Sequence, residues 1–149
     1  MSSASIVFPK NAIFNPAPIT PEWIISGTPE ARNAVVSVSG DGLASTILWE
    51  CSAGSFNWYY DFDETVYFID GSVTIADAQG EVQTCGPGDI LVFPAGSHAI
   101  WTVHTPIRKM AVCKRLLPRR VQQAIGIMRK AKRMIRKSGN DGAGLLAPI

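Results

Sequence analysis

The sequence predicts an all-β barrel or sandwich followed by one α-helix. Between Thr46 and Cys113, short β-rich runs recur at regular spacing, each closed by Gly, Pro or Asp. No alternation of strands with long helices occurs before residue 118, which argues against a parallel α/β sheet. After Pro118 the pattern changes: Val121, Ala124, Ile125, Met128, Ala131 and Ile135 recur at helical spacing. The chain of 149 residues is expected to hold one domain. Its segments are an extended N-terminal arm over 1–20, a barrel over 21–117, a basic amphipathic helix over 118–137 and a flexible tail over 138–149.

Pro9, Pro16, Pro18 and Pro21 forbid a helix and suit an arm laid over a sheet, anchored by Trp23-Ile24-Ile25. Gly27–Asn33 reads as a turn or short helical piece, Ala34–Ser39 as a weakly alternating strand, and Gly40-Asp41-Gly42 as a turn. In the strand Thr46–Cys51, Ile47, Trp49 and Cys51 share one face. Phe56–Tyr60 and Glu64–Ile69 are strands joined by the turn Asp61-Phe62-Asp63. Asp70-Gly71 reads as a hairpin turn into Val73–Ala76, and Asp77–Gly80 as the next turn before Glu81–Thr84. Cys85–Asp89 turns into the buried strand Ile90–Phe93, and Pro94-Ala95-Gly96 turns again. Ala99–Val103 and Ile107–Cys113 are the last two strands.

Composition narrows the classes. No apolar run approaches the roughly 18–20 residues that span a bilayer, and the N-terminus lacks the basic start of a signal peptide, so a cytoplasmic location is expected. Cys51, Cys85 and Cys113 contain no C-x-x-C pair and read as half-buried hydrophobes, not as a disulfide framework or zinc ribbon. The net charge of +2 hides a split. Through Lys109 there are eleven acidic residues against four basic ones; from Lys114 to Lys137 there are ten Lys or Arg and no acid.

Two stretches carry a resemblance. The first is Gly54–Gly71, with Asp63-Glu64 and Tyr67 inside it; the second is Gly86-Pro87-Gly88-Asp89 continuing to Val92-Phe93-Pro94-Ala95-Gly96. With Trp49-Glu50-Cys51, Trp101 and Arg108-Lys109, they resemble the two motifs of the cupin superfamily. More narrowly, they are similar to small cupins that include ureidoglycine aminohydrolase-like domains and the ethanolamine-utilisation cupin. The resemblance covers roughly Pro21 to Cys113. It implies a double-stranded β-helix, or jelly-roll barrel, with a pocket inside one end, and it makes a homodimer expected.

The resemblance also implies a metal pattern, H-x-H-x-x-x-E with a third His after P-x-G. On this chain the two His positions fall on Trp58 and Tyr60, the Glu position on Glu64 and the later His on Ala99. His98 stands one residue early, which in a strand turns it to the other face unless a bulge intervenes. A lone carboxylate holds transition metals poorly. No tightly bound transition metal in the usual cupin place and no cofactor are therefore expected; a weakly held divalent ion stays open.

If the resemblance holds, Trp58, Tyr60, Glu64 and Trp101 point into the barrel, near Trp49. Glu64 in an aromatic pocket would serve as acid or base, Tyr60 as a donor, and Lys109, if inward, would bind a carboxylate or steady Glu64. Glu64, Tyr60 and Lys109 are the candidate catalytic set; Trp58, Trp101 and Trp49 are the candidate ligand platform. Each also has a plain structural reading: the tryptophans as core, Glu64 as a paired buried carboxylate, and Lys109 on either face. His98 and His104 read as rim residues.

Three functions stay open. The first is a small-molecule pocket without the usual His ligands, with or without catalysis on a small polar metabolite. The second is a metal-dependent enzyme of the ureidoglycine aminohydrolase type. The third is a binding or regulatory module whose basic helix, 118–137, meets an anionic surface or an acidic partner. The plainer expectation for the same stripe is that Val121, Ile125 and Met128 pack on the barrel while the cations face water or the acidic body. Nucleic acid is not expected as a partner, because the basic segment has no aromatic residue to stack bases.

Overall fold

Alternating apolar residues need a sheet that buries one face, and the chain supplies two such faces from one continuous ladder. A computed structural model describes residues 3–141. Among the described residues it contains β1 (Asn15–Pro16), β2 (Ile24–Ser26), β3 (Ala31–Val38), β4 (Ala44–Cys51), β5 (Gly54–Tyr59), β6 (Asp63–Asp77), β7 (Val82–Cys85), β8 (Ile90–Phe93) and β9 (His98–Lys114), then the helix α1 (Arg119–Asp141). The strand pairings are antiparallel. Residues through Leu116 form one compact unit and the segment from Leu117 another.

β6 and β9 form the spine. They pair along most of their length, from Asp63 opposite Lys114 to Asp77 opposite Ala99. The free edge of β9 takes β5 along 98–103 and β4 along 107–114. The free edge of β6 takes β8 near Glu64–Tyr67 and β7 near Val73–Ala76. One curled ladder thus makes two sheets with a shared interior, the jelly roll expected. Phe56, Val66, Phe68, Val73 and Trp101 are almost completely shielded inside it.

Two sequence expectations change here. Asp70-Gly71 is not a hairpin turn, because β6 continues through it as one strand of 15 residues. Likewise the last two expected strands are one strand, β9, of 17 residues. The reason lies at the crossing. Gly71 has φ +88°, and a Cβ there would lie 2.2 Å from the Pro106 carbonyl oxygen. Gly71 and Pro106 therefore mark the bend where both long strands pass between sheets, with register shifts around Asp70 and Ser72. A local Asp-Gly signal cannot tell a reversal from such a bend. Similarly, the segment read as a turn over Gly27–Asn33 already joins β3 at Ala31, because Ala31 pairs with Cys51.

Asp41 accepts from the Ser39 hydroxyl and the Leu43 amide, and Asp77 accepts from the Gln79 and Glu81 amides. Both close turns that the sequence marked. The helix starts after Pro118, whose carbonyl accepts from the amides of Val121 and Gln122. It continues to Asp141, past the expected end at Lys137. Weak helix formers such as Ser138 and Gly139 can extend an existing helix, since each adds a bond without a new nucleus. The rest of the expected tail, 142–149, lies outside the described residues.

Candidate functional site

The pleat decides which side chains meet. On β9, Ile107, Lys109, Ala111 and Cys113 are buried, while Arg108 and Met110 on the opposite face are half-buried. This alternation settles the side of Lys109: it points inward. Trp49 stands opposite Lys109 across β4 and β9. Phe68 stands opposite it across β6. Glu64, two pleats further along β6, is also buried.

The six candidate residues come together in this interior. Lys109 Nζ donates to Glu64 Oε1 at 2.6 Å, and both side chains are at most 5% exposed. The same ammonium lies 4.9 Å from the Trp49 ring centroid and 4.7 Å from that of Trp101, so two aromatic faces share its charge. Trp101 Nε1 donates to the Tyr60 hydroxyl at 3.0 Å. Tyr60 stacks on Phe93 at 4.4 Å, and Trp101 stacks on Phe56 at 6.2 Å. Trp58, half-buried, meets Trp49 and Phe56 edge-on, and Trp23 meets it from the short 3-10 turn before β2.

Burial governs the titration of this interior. The Tyr60 phenol is pushed well above its ordinary value, first by desolvation and then by the Glu64 charge, so it stays a neutral phenol. Burial pushes the Cys51 thiol up to about 12, with Lys109 opposing the shift. Burial, helped by Glu64, pushes Cys113 up to about 11. The faces of Trp101 are occupied by Phe56 and by the ammonium of Lys109. Stacking a ligand between Trp58 and Trp101 would require moving those groups.

The metal implied by the resemblance does not fit these residues. The four ligand positions are held by Trp58, Tyr60, Glu64 and Ala99, and the Glu64 carboxylate is already bound by an ammonium. His98 lies beside Tyr59 on the other face of the strand, stacked at 4.6 Å and hydrogen-bonded to Asn57 Oδ1 at 2.8 Å. Among the described residues, no three His, Cys, Asp or Glu side chains gather into a cluster that could hold a metal ion.

A pocket of about 510 Å³ opens between the β6–β7 hairpin and the β8–β9 turn. Ile75, Leu91, Phe93 and Ala99 supply apolar walls; Asp77, Glu81 and Gln83 stand among its polar residues, and no Lys or Arg lines it. None of the six candidate residues lines it either, but Phe93 connects the two regions, touching the pocket on one side and Tyr60 on the other. Asp77, Glu81 and Gln83 were read in the sequence only as a turn and a strand, whereas His98, which also lines the pocket, was read as a rim residue. Asp77 and Glu81 at the two ends of one short turn were the available signal.

A second polar cluster went unread in the sequence. On the outer face, Glu50 receives Arg32 at 2.5 Å and Arg108 through its Nε at 2.8 Å. Phe14 of the arm lies 5.6 Å from each guanidinium. The triad follows from register, Arg32 opposite Glu50 and Glu50 opposite Arg108, and register is not visible along one dimension.

The curled ladder, the long paired spine and the inward Glu define a cupin jelly roll, and the chain belongs to the cupin superfamily. Residues 38–111 match the EutQ-like cupin domain. Among solved structures, a protein of unknown function from Pseudomonas syringae pv. tomato is 20% identical, with a TM-score of 0.64 over 70% of this chain and 46% of that one. The EutQ protein of Clostridium difficile is 20% identical, with a TM-score of 0.52 over 58% of this chain and 64% of that one. The ectoine synthase of P. lautus is 23% identical, with a TM-score of 0.52 over 63% of this chain and 70% of that one. The chain thus spans under half the length of the Pseudomonas protein. At these identities the likeness is one of fold. No curated protein matches the chain.

Proposed function

We propose that this cupin is a metal-independent small-molecule-binding protein whose ligand is a small organic cation or amine with an apolar portion. The pocket between the β6–β7 hairpin and the β8–β9 turn carries this reading. Its volume falls in the range of small-molecule sites, and it combines apolar walls with the carboxylates of Asp77 and Glu81 and the imidazole of His98, with no Lys or Arg in its lining. The bonds from the Gln79 and Glu81 amides hold the Asp77 carboxylate in a set orientation, so little order has to be imposed on binding. Glu64 is engaged by Lys109, and the Tyr60 phenol keeps its proton. Both facts favour a rigid aromatic floor under the pocket over an acid–base centre.

The test is calorimetric titration of the full chain with a panel of small aliphatic and aromatic amines, matched against carboxylates of the same size. Saturable binding of amines, weakened at least about tenfold by Glu81→Gln, is expected from the loss of a charge-assisted contact. Glu64→Gln, studied under conditions where its tryptophan emission matches the parent, should leave affinity unchanged. Loss of binding in the folded Glu64→Gln protein would move the ligand to the barrel interior and overturn this reading. So would a preference for carboxylates.

A further inference from the structure

We propose that α1 is an interfacial helix that lies along the surface of anionic lipid bilayers. This goes beyond the pocket and does not depend on it. From Arg119 to Lys137 the sequence has eight Lys or Arg and no Asp or Glu. At about 100° per residue, the apolar positions cover roughly half the helix circumference. Val121, Ile127, Met128, Met134 and Ile135 on this side are all exposed, Met134 and Ile135 to 73%. Arg129, Lys130, Arg133, Arg136 and Lys137 take the other side. The cations meet one another at spacings of three and four, as in Arg133 with Arg136 and Arg129 with Arg133, and no acid between Arg119 and Lys137 offsets the repulsion. A plane of anionic headgroups removes that repulsion while the acyl boundary takes the apolar side.

Three features favour a bilayer over an acidic protein. The apolar side is about half the circumference, wider than the narrow seam that a partner helix would need. It is built from Ile, Met, Val and Ala, with no aromatic anchor of the kind that dominates protein hot spots. Lys132 and Arg120 flank or interrupt it, and long cationic side chains at such places can reach back to the headgroup level. The helix is not a membrane span: no described helix is long and apolar enough to cross. The 23 residues of α1 give a cylinder of about 34 Å lying flat.

The test is co-sedimentation of the full chain with vesicles of phosphatidylcholine alone or with about 30 mol% phosphatidylglycerol. Binding to the anionic vesicles only, weakened at least about tenfold between 0.05 and 0.5 M salt, is expected. Ile127→Glu with Met134→Glu should lose at least about tenfold by disrupting the apolar side. Arg129→Gln with Arg133→Gln and Arg136→Gln should lose as much by removing charge. Unchanged tryptophan emission in both variants would show the barrel intact. Three results would overturn the proposal: no sedimentation with anionic vesicles, equal sedimentation with neutral ones, or binding that resists Ile127→Glu and Met134→Glu and is fully displaced by polyglutamate. The last would identify an acidic macromolecule as the partner.

Discussion

Two ionic clusters sit back to back across β9, and their surroundings set them apart. Glu50 and Arg108 point outward from β4 and β9; their neighbours Cys51 and Lys109 point inward. The outer triad keeps its charges wet, with Arg32 59% and Arg108 34% exposed against 15% for Glu50. The inner pair, Lys109 and Glu64, is 5% and 4% exposed and lies among tryptophans. A one-residue step along a strand therefore separates a pair that water can replace from a pair that has no substitute. An ion pair's contribution depends on what would solvate each partner if the other were gone.

The sharpest test removes the inner cation. Lys109→Met leaves Glu64 buried without its ammonium and should cost about 3–5 kcal/mol by denaturant unfolding. A loss below about 1 kcal/mol would mean that water reaches Glu64 and would erase the contrast. Next is the alkaline limb. The folded Cys51 thiol holds its proton more tightly than the unfolded one, so its contribution is complete below pH 9 and falls as pH rises towards about 12. In that window the loss should approach about 1.4 kcal/mol per pH unit, and Cys51→Ala should remove this part of the slope. On the outer face, Arg32→Ala should cost about 0–1 kcal/mol, and the cost should vanish near about 0.5 M salt. The smallest net change belongs to the double variant Lys109→Met with Glu64→Leu, which should unfold within about 1–2 kcal/mol of the parent, since a well-packed apolar pair often replaces a buried ion pair at little cost. Recovery of this size would show that the pair costs nearly as much to bury as it returns.

Much of the fold was legible. Gly/Pro punctuation and period-two alternation placed most strands, and the change of period after Pro118 placed the helix. Misreadings gathered where local chemistry is ambiguous. Asp70-Gly71 has a hairpin's composition but serves as a bend, because Pro106 of a distant strand packs against Gly71. Asp63 read as a turn residue with local bonds, yet it accepts from the amide of Ala95 across the structure. For the site, the inward placement of Trp58, Tyr60, Glu64 and Trp101 followed from the motif resemblance and the strand period. Lys109 stayed open on sequence alone, since its neighbours on β9 do not reveal which pleat faces inside. The Arg32–Glu50–Arg108 triad was unread, and Asp77, Glu81 and His98 were not read as sharing a pocket, because each grouping joins segments separated in sequence.

By itself the sequence determined the class of fold, the split between an acidic body and a basic helix, and the absence of histidines at three of the four implied ligand positions. These depend on residue identity and short-range period, which a single chain displays directly. Tertiary structure decided that Lys109 and Glu64 are partners, that the aromatic residues fill the barrel interior, and that the pocket opens at the β6–β7 hairpin. The physical reason is that strand register and bends arise from pairings between distant segments, and a single shift of one residue exchanges every side chain between core and solvent.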